Sequence, residues 1–148
     1  MIENAGFHLL LKTLLKGSVP AISVLDLQSD RENYALLDAR ELEEYEVSRI
    51  PTARHVGFKQ FDSETISQLP KDQPIVMYCS VGVRSEKIGR QLINMGYLNV
   101  KNLYGGIFEW VNRDLLVEND HGLTQEIHPY NRLWGKWITN SRMDVTTG

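Results

Sequence analysis

One cysteine in 148 residues excludes an intrachain disulfide and a cysteine-rich zinc centre, and it is what a reducing compartment permits. Nor is there a basic excess. Sixteen Lys and Arg stand against nineteen Asp and Glu, a net charge of -3, so nothing draws the chain toward nucleic acid or an anionic membrane. Long apolar runs are missing too. The N-terminal FHLLL stretch is interrupted by Lys12 and Lys16, far short of the roughly 20 residues that span a bilayer. Glu3 stands where a signal peptide would carry positive charge, so a soluble, cytoplasmic protein is expected. Internal repeats and low-complexity tracts are lacking as well. His121 and His128 have no cluster of carboxylates or thiols around them, and no metal and no cofactor are expected.

What remains is ordinary globular composition, 42% hydrophobic and 24% charged, in a chain long enough for one core. Phe7, Leu10, Leu11, Leu14 and Leu15 form one apolar stripe on a helix that Gly17 and Pro20 end. After a short segment at Ala21–Ser23, the pattern alternates. Helices are predicted at 24–30, 41–46, 60–69, 85–95 and 107–113, and strands at 34–38, 54–56, 74–78 and 99–103. The uncharged run Pro74-Ile-Val-Met-Tyr78 reads as a central strand covered on both faces. Repeated strand and helix units imply an α/β fold with a parallel sheet and right-handed crossovers. We divide the chain into an N-terminal amphipathic helix (1–18), a main domain (19–114) and a C-terminal extension packed on it (115–148). In that extension Asn119–Gly122 is a hairpin turn, and Tyr130, Leu133, Trp134 and Trp137 recur at helical spacing. That aromatic face packs on the domain or forms a lid or partner surface beside the cysteine.

The chemistry centres on Cys79-Ser80-Val81-Gly82-Val83-Arg84-Ser85, between a predicted central strand and a predicted helix. Ligands of open α/β sheets bind at the carboxyl ends of strands. A loop wrapped at a helix head turns its backbone N–H groups inward and makes an anion nest, for which Gly82 supplies the conformational freedom. Such a nest favours the nucleophilic thiolate form of a cysteine. Arg84 adds a rigid cationic fork that braces the loop, and Ser85 is placed to cap the helix. The plainer reading of Cys79 is a small buried hydrophobe at a strand end.

Three segments carry a family resemblance. ALLDARELEEYEVSRIPTARHV, IVMYCSVGVRS and LINMGYLNVKNLYGGIFEW resemble, in order and spacing, the motifs of the rhodanese-like sulfurtransferases, from Ala21 to Asn112. The resemblance implies a three-layer fold with a central, mostly parallel sheet flanked by helices. It also implies that Cys79 carries sulfane sulfur as a persulfide, taken from thiosulfate, a persulfide or a polysulfide and passed to a thiol or other nucleophile. Ser80, Val81, Gly82, Val83 and Arg84 would form the cradle, with Arg40 near the pocket mouth, Asp38 a structural support, and Gly105 and Gly106 a packing turn. Ser48-Arg49 departs from the family's Gly-His, and His55 reads as a packing residue rather than a base. Partners would be a small-molecule or protein sulfur donor and a thiol acceptor, with the chain a monomer or homodimer.

Two other readings stand beside it. A cysteine phosphatase of related architecture would place five residues between cysteine and arginine, where this chain has four, and would need an acid that the loop lacks. A binding or redox-sensing module would need the thiol only as a sensor.

Overall fold

Apolar strands with few charges cannot tolerate an exposed face, and here both faces are covered. The computed structural model describes residues 4–146. Its centre is a five-stranded parallel sheet of β1 (Ala21–Ile22), β2 (Ala35–Asp38), β3 (Arg54–His55), β4 (Ile75–Tyr78) and β5 (Val100–Leu103). The spatial order is β1-β5-β4-β2-β3, with every pair parallel. β4 lies in the middle and all four of its residues are inaccessible to solvent.

Side chains alternate across a strand, and they feed two cores. Leu36, Val76 and Tyr78 pack with Phe7, Leu11, Leu27, Ile107 and Phe108. Those partners come from α1 (Ala5–Leu14), α2 (Val24–Ser29) and α5 (Gly106–Asn112). On the other face Leu37, Ile75 and Met77 meet Ile88 and Leu92 of α4 (Val83–Asn94), together with Ile66. The three-layer α/β architecture expected from the sequence is therefore the one observed.

α1 docks on this body through the predicted stripe, burying Phe7 and Leu11. The chain beyond it is held by Glu86 of α4, whose carboxylate accepts the N–H groups of Lys16 (3.0 Å) and Ser18 (3.2 Å). Residues 1–3 of the proposed N-terminal unit, Glu3 among them, lie outside the described residues.

The predicted helix at 60–69 is only a short 3-10 turn, Ser63–Ile66. The Asp62 side chain takes the Glu64 N–H (2.9 Å), and the Thr65 and Ser67 hydroxyls donate to the Asp62 and Glu64 carbonyls, drawing those groups into local turns. α3 (Leu42–Val47) appears as predicted, closed by a capping box between Glu41 and Glu44.

In the C-terminal extension the hairpin forms as read, from β6 (Val117–Asn119) and β7 (Gly122–Thr124). The aromatic segment differs from the helix its spacing suggests. Trp134–Trp137 is a 3-10 turn, and a short β8 (Glu126–Ile127) pairs in parallel with β9 (Asp144–Val145). Trp137 stacks on Phe7 at 5.4 Å, tying the two flanks of the domain together.

Arg40 corrects an expectation. It lies inside the fold rather than at the pocket mouth, and it is fully buried with Asp38. Nε and Nη2 donate to the Asp38 carboxylate (2.8 Å at closest) and Nη2 to the Ser48 carbonyl (2.6 Å). The cause is the neighbouring carboxylate at the end of β2, which compensates a fully buried guanidinium. Burial acts against the charge, and Asp38 more than offsets it, so the pKa of Arg40 is raised. Asp38→Ala leaves that cation unpaired. Chemical denaturation is expected to show a loss of about 3–5 kcal/mol, and a loss below about 1 kcal/mol would refute the structural role given to Asp38.

Candidate active site

Strand β4 delivers Cys79 to the carboxyl edge of the sheet, where the chain turns over α4. The thiol is 1% exposed. Gly82 N–H donates to Sγ at 3.1 Å, and Ser85 Oγ lies 3.4 Å from it. Gly82 has φ +127°, a conformation closed to ordinary side chains, and this lets the loop fold back on its own sulfur.

That same glycine occupies the N-cap position, so α4 begins at Val83 and Ser85 is not the cap. Ser85 lies inside the first turn and fully buried. Its hydroxyl is 2.6 Å from Asn102 Oδ1, while Asn102 Nδ2 donates to the Gly82 carbonyl at 2.9 Å. A hydroxyl has one hydrogen, so Ser85 can donate to Asn102 or to the sulfur but not to both. Asn102 thus clamps both sides of the loop. A single asparagine on the buried side of β5, among Val100 and Leu103, is the sequence signal for this clamp.

The loop is held from behind by α5. Ile107 N–H donates to the Cys79 carbonyl (3.0 Å) and Phe108 N–H to the Ser80 carbonyl (3.1 Å). In a trans peptide the N–H points opposite to the C=O, so the N–H groups of Ser80 and Val81 face away from α5. Gly105 (φ +85°) and Gly106 (φ +59°) make the turn that permits this approach.

Arg84 braces the loop through a partner missing from the sequence reading. Nη1 and Nη2 donate to the two Glu44 oxygens at 2.7 and 2.8 Å, and Nη2 also reaches Ser80 Oγ at 2.9 Å. Burial alone would raise the Glu44 carboxyl, but the hydrogen bonds and charge of Arg84, helped by Arg40, hold it below its ordinary value. Burial likewise disfavours the Arg84 charge, but the Glu44 hydrogen bond and the charges of Cys79 and Glu44 together outweigh it, so that pKa is raised. The one cation of the loop is therefore largely neutralised.

Beside the sulfur lies a cavity of about 180 Å³. Its walls are Val81, Val83 and Arg84 from the loop and helix, Leu14 from α1, and Tyr130 and Trp134 from the C-terminal extension. Asp38 and Arg40 are not among them. His55 is not near the sulfur in role either: its Nε2 lies 2.7 Å from the Arg40 carbonyl and its ring packs on Tyr45. Among the described residues, no group of three or more His, Cys, Asp or Glu is placed to hold a metal ion.

This geometry has relatives. The model of the rhodanese-like domain family matches residues 21–113. The chain belongs to that family. A sulfurtransferase of Allochromatium vinosum is 33% identical over 94 residues, which cover 64% of this chain and 87% of that protein. An adenylyltransferase and sulfurtransferase of Meyerozyma guilliermondii is 36% identical over 97 residues, 60% of this chain but only 23% of that longer protein. Other bacterial relatives bear the name thiosulfate sulfurtransferase. Among solved structures, a protein of Bacillus halodurans superposes with a TM-score of 0.64 at 26% identity, covering 80% of this chain and 88% of the other. The rhodanese-like match begins after Leu14 and ends before Tyr130 and Trp134, so three walls of the cysteine cavity come from outside it.

Proposed function

We propose that this rhodanese-type sulfurtransferase carries its sulfur as a persulfide on Cys79. The observation behind this reading is the sulfur's setting: the chain's one thiol, at the carboxyl edge of a parallel sheet, takes a backbone N–H at 3.1 Å from its own loop. The Cys79 thiolate attacks the sulfane sulfur of a donor. A new S–S bond forms on Cys79 as the donor's own bond to that sulfur breaks, and the leaving group departs with the electron pair. An acceptor thiolate then takes the terminal sulfur, and Cys79 is released as thiolate. Ser80, Val81, Gly82 and Val83 wrap the sulfur, Arg84 locks the loop on Glu44, and Ser85 and Asn102 hold it from below. The catalytic unit in this reading is 19–114, flanked by the N-terminal helix and the 115–148 extension. A reducing, cytoplasmic setting suits an unpaired thiol, with a small-molecule or protein donor and a thiol acceptor, and the chain acting as monomer or homodimer. No helix among the described residues is long and apolar enough to cross a membrane.

Donor choice follows from charge. Thiosulfate is a dianion, and Arg84, the loop's only cation, is paired with Glu44. Persulfides or polysulfides should therefore transfer sulfur faster than thiosulfate at equal concentration, with no transfer in Cys79→Ser. Initial rates that strongly favour thiosulfate would overturn the donor assignment, and transfer by Cys79→Ser would overturn the mechanism.

A further inference from the structure

Tyr130 occupies a costly backbone position directly over the site. Its φ is +68°, unusual for a residue with a side chain, in a three-residue turn closed by the Asn131 N–H on the Pro129 carbonyl at 2.8 Å. Its own N–H donates to His128 Nδ1 at 2.9 Å. Strain of this kind persists only where surrounding contacts enforce it. Here the contact is the ring itself, which lies over the Arg84 guanidinium at 4.5 Å from its centroid.

The ring stands between two spaces. On one side is the cavity of about 180 Å³ containing Cys79, with Leu14, Val81 and Trp134 among its walls. On the other is a groove of about 320 Å³, lined by Glu41, Glu43, Lys59, Lys87 and His128. Tyr130, Val83 and Arg84 border both. The inner space is apolar with one neutralised cation, whereas the outer one carries charges of both signs.

We propose that Tyr130 is a specificity-determining gate, which limits by size what reaches the Cys79 sulfur. The terminal sulfurs of a persulfide or polysulfide pass the ring, and their polar body stays in the outer groove. Bulky thiols and disulfides are turned away. This inference rests on Cys79 being the sulfur carrier, but its test needs no sulfur chemistry. Because the chain has a single cysteine, alkylation reports on that site alone.

The experiment compares the labelling rate of Cys79 by iodoacetamide with that by a bulky aromatic maleimide, in the wild-type chain, Tyr130→Gly and Tyr130→Phe. Glycine accepts φ +68° without strain, so Tyr130→Gly keeps the turn while losing the ring, and Tyr130→Asn, asparagine being one of the residue types enriched at positive φ, repeats the removal. The bulky-to-small rate ratio should rise about tenfold in both, the factor expected when a cation–π contact of ordinary strength no longer holds the site closed. Tyr130→Phe, which keeps the ring, should match the wild type. An unchanged ratio in Tyr130→Gly and Tyr130→Asn overturns the gate and leaves the sulfur-carrier reading standing. A raised ratio in a chain that takes up no sulfur supports the gate and counts against the carrier.

Discussion

Gly106→Ala should slow sulfur loading of Cys79 by about 100-fold, the order of loss that follows when a reacting atom is displaced by about 1 Å. A β-carbon at position 106 would lie 2.5 Å from the Cys79 carbonyl oxygen and closer still to that of Ser80. Both oxygens are backbone atoms and cannot swing aside like a flexible side chain. The loop or α5 must retreat, and either movement breaks the bonds from Ile107 and Phe108 that fix the loop's peptides. The left-handed conformation at Gly106 adds about 1–2 kcal/mol of strain. Gly105→Ala is an informative companion, because Gly105 also has positive φ and is the N-cap of α5. Intact mass after timed exposure to polysulfide, below the melting temperature of both variants, reads the result. Wild-type loading by Gly106→Ala would show that the α5 clamp does not position the sulfur.

The second large effect falls on Glu44. Glu44→Gln keeps the shape of the side chain and removes its charge, leaving the largely buried Arg84 cation uncompensated. The expected loss of stability is about 3 kcal/mol, the lower end for breaking a buried pair, because the amide oxygen can still accept one hydrogen bond. The loss should depend on pH in a definite sense. The folded-state pKa of Glu44 lies below its ordinary 4.5, so the pair contributes fully above that value and the contribution disappears as pH falls through the depressed one. Denaturation curves of wild type and Glu44→Gln should stay a constant distance apart through neutral pH and converge in acid. With Arg84 released, thiosulfate should also gain as a donor relative to persulfide. A gap that persists unchanged in acid would show that the pair is not what stabilises the loop.

The sheet and the cysteine loop were legible because each rests on local information. Pro74–Tyr78 has no charge to expose, and an apolar strand ending in Cys-x-x-Gly leads into a helix by short-range geometry alone. The Glu44–Arg84 pair was not legible. Glu41, Glu43, Glu44 and Glu46 are alike in sequence, and only the placement of α3 against the loop selects one of them. The two arginines posed the same problem: Arg40 is drawn inside by Asp38 at the adjoining strand end, whereas Arg84 remains at the cavity. Ser85 has a good capping residue type, but Gly82 takes the non-helical backbone first and the helix starts earlier. In the extension, aromatic spacing imitated a helix between Pro129 and Gly135. The segment folds back on itself instead, and the missing side chain of Gly135 permits the close approach: a β-carbon there would come within 3.0 Å of the Pro129 side chain. The short parallel pairing of β8 with β9 has no local signal at all.

The central claim is that Cys79 carries the sulfur. The most direct measurement is the intact mass of the purified protein after polysulfide or thiosulfate, and again after a thiol acceptor, with Cys79→Ser alongside. A gain of one sulfur atom on the wild-type chain, removed by the acceptor and absent from Cys79→Ser, is the result predicted. No gain from any donor, or the same gain in Cys79→Ser, would contradict it.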